Sequence, residues 1–360
     1  INIIITIAFA TANDHPALLQ TLTSNSNNIN LNSTEWHTII NESPSTIGNI
    51  AFAASMGHPE LLHALTPHLH TTFLSADEWK AIITTEPDTI DNIVSAAEIQ
   101  CPKLLQSLLS QVPHMQITPG QWEKIFSHSA TVGAILLSAH LANKNLLNAA
   151  TPYLFDSSAT IWKNIIRKEP RVVMQLAYSL SQGLITAETQ LSLITEELTE
   201  QDWLTILTTD GTLLQLAIAY EKGHQELFNA AKDHFGGLSF IDWQNIIAQN
   251  AKIISKCIRL AKKHEPSLLN AIISHVQRLS QESLEATLND IQAHIPKLAR
   301  YAIKSQRAVL CHVLNQALEL ESVDRYLTVE QKQQIQTLAN NGLFAQSDHR
   351  EAPGYDYTTI

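Results

Sequence analysis

The chain is poor in cysteine. It has three in 360 residues, Cys101, Cys257 and Cys311, far apart and without a CxxC pair. That excludes a disulfide framework and a thiolate zinc site, and suits reduced thiols in a cytoplasmic setting. No apolar run approaches the roughly 18 residues of a membrane-spanning helix, so no transmembrane segment is expected. Ile1–Ala10 is apolar but reads as one helix of a cut repeat, not as a signal peptide. Cations are scarce: 23 Lys and Arg against 34 Asp and Glu, a net charge of −11. That balance argues against a nucleic-acid partner. The sequence has no Walker loop, nucleophile elbow or dinucleotide fingerprint, so neither a cofactor nor a catalytic residue is indicated and no enzyme is expected.

Tryptophan is also sparse, and its placement is the strongest signal. The six lie at 36, 79, 122, 162, 203 and 243, separated by 43, 43, 40, 41 and 40 residues. A period near forty marks stacked helical units. Each Trp stands at one place in a helix start. Leu74-Ser75-Ala76-Asp77-Glu78-Trp79 shows the plan. Ser75 is the N-cap, Glu78 reaches back to it, and Trp79 faces Leu74 in a hydrophobic staple. Leu31-Asn32, Ile117-Thr118, Leu198-Thr199 and Leu238-Ser239 repeat it, whereas the Ser158 version lacks both staple and acid. Apolar pairs follow, such as Ile39/Ile40 and Ile82/Ile83, and complete one buried stripe.

A second helix is expected after Pro44, Pro87 and Pro170, or Gly211 in the fifth unit, because proline suits a helix start. Gly57, Gly183 and Gly223 end it, where a left-handed residue is favoured. A third helix carries Leu61/Leu62, Leu104/Leu105, Leu146/Leu147, Leu227/Phe228 and Leu268/Leu269. The fold class is therefore all-α: a solenoid of about seven three-helix repeats of 40–43 residues. A seventh unit without Trp starts near Leu284, and its Ile295, Leu298, Ala299 and Ala302 keep the register. A partial N-terminal repeat precedes the first Trp, since Ile7-Ala8-Phe9-Ala10 matches Ile50-Ala51-Phe52-Ala53 and Asp14-His15-Pro16 matches Gly57-His58-Pro59. Thr328-Val329-Glu330-Gln331 opens a C-terminal capping helix. Residues 1–345 are expected to be one domain and 346–360 a flexible tail.

The second and third helices resemble ankyrin repeats. The resemblance rests on Asp210-Gly211-Thr212-Leu213-Leu214-Gln215 with Gly223-His224-Gln225-Glu226-Leu227, and on Gly57-His58-Pro59-Glu60-Leu61-Leu62. It covers about half of each unit. The ankyrin period is about 33 residues, and the extra residues here are the Trp helix. The resemblance implies a non-catalytic protein-interaction scaffold whose second helices line a concave face. By analogy with such arrays, it also implies an effector that an intracellular bacterium secretes into a host cell.

Two columns on the second helix are the binding candidates. One reads Asn49, Asn92, Ala134, Gln175, Gln215, Lys256, Lys297. The other reads Phe9, Phe52, Ser95, Leu137, Tyr178, Ile218, Arg259, Arg300. Charge changes along them. Residues 1–121 hold two basic and ten acidic residues, whereas residues 250–310 hold ten and four. Lys256, Arg259 and Lys263 share one helix face, and Lys297, Arg300 and Lys304 repeat it 41 residues later. Lys252 and Arg307 flank this ridge, which suits a partner with an acidic segment, or an anionic lipid as the alternative. A second alternative makes the chain the targeting or regulatory end of a larger enzyme. The bland reading of the ridge is a solvated helix face, and that of Gln215 a structural hydrogen-bonding role. The Trp column is core packing. No metal is expected. His58 and His63 are five residues apart, so at about 100° per residue they diverge, and His68-Leu69-His70 stands alone. Thr358-Thr359-Ile360 resembles a PDZ-binding terminus.

Overall fold

The computed structural model describes residues 2–12, 31–69, 73–99, 101–185, 195, 197–276, 291–305, 307–318 and 326–347. Asp14-His15-Pro16, His70, Leu284 and the tail from 348 lie outside them. Among the described residues every regular element is helical and no strand occurs. Contacts group the chain into two compact units, Ile1–Leu198 and Thr199–Ile360.

The Trp helices are Ser33–Glu42, Ala76–Thr85, Pro119–Phe126 and Ala159–Lys168 in the first unit. Glu200–Thr208 and Phe240–Gln249 are those of the second. Their starts follow from local chemistry. Asn32, Ser75, Thr118, Thr199 and Ser239 each accept the N3 backbone N–H, and the N3 acid or amide accepts from the cap N–H. Two free N–H groups are satisfied at once, and such a cap is worth ~1 kcal/mol. Ser158 makes the forward bond from Ile161 alone. All six Trp side chains are at most 3% exposed. Leu74, Ile117, Leu198 and Leu238 are buried ahead of them, as staple residues should be. Each indole lies near a ring at the end of a third helix. Trp122 stacks on Tyr153 at 6.2 Å and Trp203 on His234 at 5.5 Å. The Trp162 indole N–H donates to the Leu154 carbonyl at 3.1 Å.

The second helices are Ser45–Ser55, Asp88–Glu98, Ser129–Leu141 and Arg171–Ser181, with Asn2–Ala12 ahead of them. Each packs against the next in the first unit. In the second unit Thr212–Glu221, Lys252–Lys262 and Ile295–Lys304 pack in the same succession. Small residues allow the approach. A Cβ on Gly48 would lie 2.7 Å from the Thr89 hydroxyl, and one on Gly133 would collide with the Gln175 amide oxygen. The last helix, Val329–Ser347, covers helices Ala308–Ala317 and Ile295–Lys304. It buries Ile335 and Ala339 and leaves Glu330, Gln333 and Gln334 outside, which is the polar outer face a terminal helix needs.

Gly57, Gly183 and Gly223 follow their second helices with φ of 93°, 64° and 108°. The same position is His264 one unit later, with φ 70°. An L residue there carries a steric cost that glycine avoids. His264→Gly is therefore expected to stabilise the fold by ~0.5–1 kcal/mol. A denaturant melt with an unchanged slope and a higher midpoint would show it.

Candidate interaction face

On each second helix three positions, spaced i, i+3 and i+7, point the same way because 3.6 residues make a turn. Successive helices pack side by side, so each position becomes a row. In the first unit the first position holds Asn49, Asn92, Ala134 and Gln175. Asn49 and Asn92 are half-buried, and Ala134 is buried. Gln175 is wedged over Gly133, and its Oε1 is buried without a hydrogen-bond partner among the described residues. Gln215 Oε1, in the second unit, is in the same state. These two amides fill space between helices, whereas Asn49 and Asn92 keep part of their surface in water.

The middle position in the first unit holds Phe9, Phe52, Ser95, Leu137 and Tyr178. Phe9 is well exposed and Phe52 is half-buried. The Tyr178 hydroxyl lies 3.0 Å from His140 Nδ1 of the preceding second helix, with the rings edge to face at 4.9 Å. The third position was missed by sequence reasoning. It runs Met56, Ile99, Leu141, Gln182, and all four are exposed. Met56 is 59%, Ile99 46% and Leu141 36% exposed, uncommon values for large apolar side chains. Their spacing of 43 and 42 residues was the available signal, but apolar residues at a helix end read as core. The surroundings are acidic. The Asp91 carboxyl is pushed up by burial first, then by Asp88, Glu169 and Glu98.

The second unit presents cations at the same positions. Its third position reads Lys222, Lys263 and Lys304, all exposed. Lys256, Arg259 and Lys263 converge on one residue of the preceding second helix, Glu221. Lys256 Nζ donates to Glu221 Oε2 at 2.6 Å and Arg259 to Oε1 at 3.3 Å. Lys263 Nζ donates to the Glu221 backbone carbonyl at 2.8 Å, which also caps that helix end. Burial acts to raise the Glu221 carboxyl. The hydrogen bond and charge of Lys256, then those of Arg259, outweigh it and hold the carboxyl below its ordinary range. The flanking Lys252 is exposed.

On the next helix Lys297, Arg300 and Lys304 are exposed. Arg300 Nε donates to the Pro296 carbonyl of its own helix at 3.1 Å. Among the described residues no carboxylate pairs with any of the three. Burial and then the Lys297 charge lower the His294 imidazole, as expected beside an uncompensated cation. Arg307 is turned aside. It donates to Asn270 Oδ1 at 2.6 Å and lies over the Tyr301 ring at 6.0 Å.

Catalytic chemistry finds little support. Burial pushes the Cys311 thiol up to about 11 and raises Cys257 and Cys101 as well. Such thiols are poor nucleophiles. A cleft of about 410 Å³ opens between helices Pro119–Phe126 and Ala159–Lys168. Glu123, Ser129, Asn164 and Lys168 line it, with no histidine or cysteine. Among the described residues no group of three or more His, Cys, Asp and Glu could hold a metal ion. None of the described helices is long and apolar enough to cross a membrane.

Compared with protein-family models, curated proteins and solved structures, the chain matches none of them.

Proposed function

We propose that this chain is a non-catalytic scaffold that binds a protein partner along the exposed face of its second helices. The reading includes a solenoid of about seven ankyrin-like three-helix repeats over residues 1–345. It also places the protein in a reducing, cytoplasmic setting, in keeping with three free cysteines. A host cell reached by bacterial secretion is one such setting. One observation carries the proposal. Equivalent positions on adjacent second helices stay exposed in both units, and they carry coherent chemistry. Met56, Ile99 and Leu141 form an apolar row in the first unit. Lys222, Lys263 and Lys304 form a cationic one in the second. Exposed apolar side chains in register are what a partner-binding surface needs, and a field of one sign steers an oppositely charged partner.

The test is site-specific photo-crosslinking. A benzophenone side chain at Met56, Ile99 or Lys222 is expected to capture the same protein from a cell extract. The same probe at Glu123 or Asn164, on the Trp helices, is expected to capture none of it. Equal capture from both sets would remove the second-helix face as the binding surface. The cationic rows favour a second reading, an anionic lipid surface. Flotation with vesicles containing phosphatidylinositol phosphates separates the two, because a protein scaffold stays in the lipid-free fraction.

A further inference from the structure

The second unit contains a carboxylate seat that the chain fills itself, and one unit later a copy of the same seat that it leaves open. In the filled seat, Lys256 and Arg259 of one second helix hold the Glu221 carboxylate of the preceding one. Glu221 stands 35 residues before Lys256 and 38 before Arg259. The same offsets from Lys297 and Arg300 both lead back to residue 262. Residue 262 is a lysine. The helices carrying these residues, Lys252–Lys262 and Ile295–Lys304, pack against each other as Thr212–Glu221 and Lys252–Lys262 do. The offset recurs in the first unit, where His140 meets Tyr178 from 38 residues before it. The repeat therefore delivers this position to the middle position of the next helix. The chain has placed a cation where its neighbour supplies a carboxylate.

We propose that Lys297 and Arg300, with Lys262 and Lys263 beside them, form an open seat for an aspartate or glutamate side chain of the partner. The inference rests on the reading of the second-helix face as the binding surface. A carboxylate is the favoured occupant because a carboxylate fills the homologous pair. The pair matches that group: an ammonium donates to one oxygen and a guanidinium to the other, and charge-assisted bonds of this kind are about twice as strong as neutral ones. A fourth cation in the seat discourages closure within the chain and raises the attraction for an incoming anion. Lys297, Arg300, Lys262 and Lys263 are all exposed, so the seat is reachable from solvent.

The probe is fluorescein-labelled hexaglutamate, with hexaglutamine as the control, read by fluorescence anisotropy. Wild-type protein is expected to bind hexaglutamate and not hexaglutamine, and to lose affinity as salt rises, since exposed charges are screened within about 8–10 Å. Lys297→Gln with Arg300→Gln is expected to weaken binding at least ten-fold. Lys262→Glu is expected to do the same by filling the seat from within. Glu221→Gln is expected to tighten binding about three-fold by opening the first seat. Hexaglutamate binding unchanged by Lys262→Glu and by the Lys297/Arg300 pair would overturn the proposal. So would binding to phosphatidylinositol phosphate vesicles that these variants abolish while hexaglutamate fails to bind.

A second measurement needs no ligand. Lys262→Glu is expected to raise the Tm of the wild type, and the rise is expected to vanish when Lys297→Gln and Arg300→Gln are added. A rise that persists would mean that residue 262 does not face the pair. The outcome also separates this proposal from the one it rests on. Partner crosslinking at Met56 and Ile99 without hexaglutamate binding ends the seat and keeps the surface. Hexaglutamate binding without crosslinking ends the surface reading.

Discussion

Replacing Trp122 by alanine is expected to cost about 3–5 kcal/mol, the range for a large aromatic removed from a packed core. The side chain is 1% exposed and touches two rings, Phe126 at 5.5 Å and Tyr153 at 6.2 Å. It has no small neighbour able to close the gap, because Ile125 and Phe126 on its own helix are buried too. Urea unfolding of wild type and variant gives the difference. A loss under about 1 kcal/mol would mean that the indole contributes little beyond what a methyl group can supply.

The second large effect concerns Glu221. Lys256→Glu is expected to destabilise the second unit by about 2 kcal/mol. The figure lies between ~0–1 for an exposed ion pair and ~3–5 for a broken buried one, because the Lys256 and Glu221 side chains keep only 20% and 19% of their surface in water. The substitution removes an attraction and sets two carboxylates together. Adding Glu221→Lys is expected to restore most of the loss, since the swapped charges can pair again. A double variant no more stable than Lys256→Glu would deny the pair any energetic role. Four-fold reversal of Lys256, Arg259, Lys297 and Arg300 therefore probes fold and binding together, whereas changes at Lys297 and Arg300 probe binding. The pair also has a pH signature. The folded-state Glu221 carboxyl lies below its ordinary value of 4.5. Its contribution is complete above that pH and is lost as pH falls through the lowered value. The Tm difference between wild type and Glu221→Gln is expected to shrink over that acidic window and to be flat from pH 6 to 8.

Much of the local architecture was legible in the residue order. The six capped helix starts follow from Ser, Thr or Asn three residues before an acid or amide. The buried Trp column follows from its spacing, and the helix-ending glycines from the residue type. These signals are local: a cap is closed within four residues, and an apolar stripe is written into a single helix. His264 was the exception, a non-glycine in a left-handed position imposed by its repeat.

The candidate face was legible only in outline. The periodic lysines and arginines were readable as a ridge, and Asn49, Asn92, Phe52 and Tyr178 as columns beside it. What those columns do depends on which residue of the preceding helix they meet. Gln175 turned out to fill the space above Gly133, Tyr178 to meet His140, and Lys256 with Arg259 to hold Glu221. The Met56, Ile99 and Leu141 row had the right spacing, but only packing shows that nothing in its unit covers it. The sequence by itself determined the helices, their caps, their buried stripes and the repeat that orders them, because each depends on interactions within a few residues. The tertiary structure alone decided which cations are already paired and which apolar residues stay in water. Those outcomes depend on the sideways register of helices some forty residues apart, where a shift of one residue would exchange every partner.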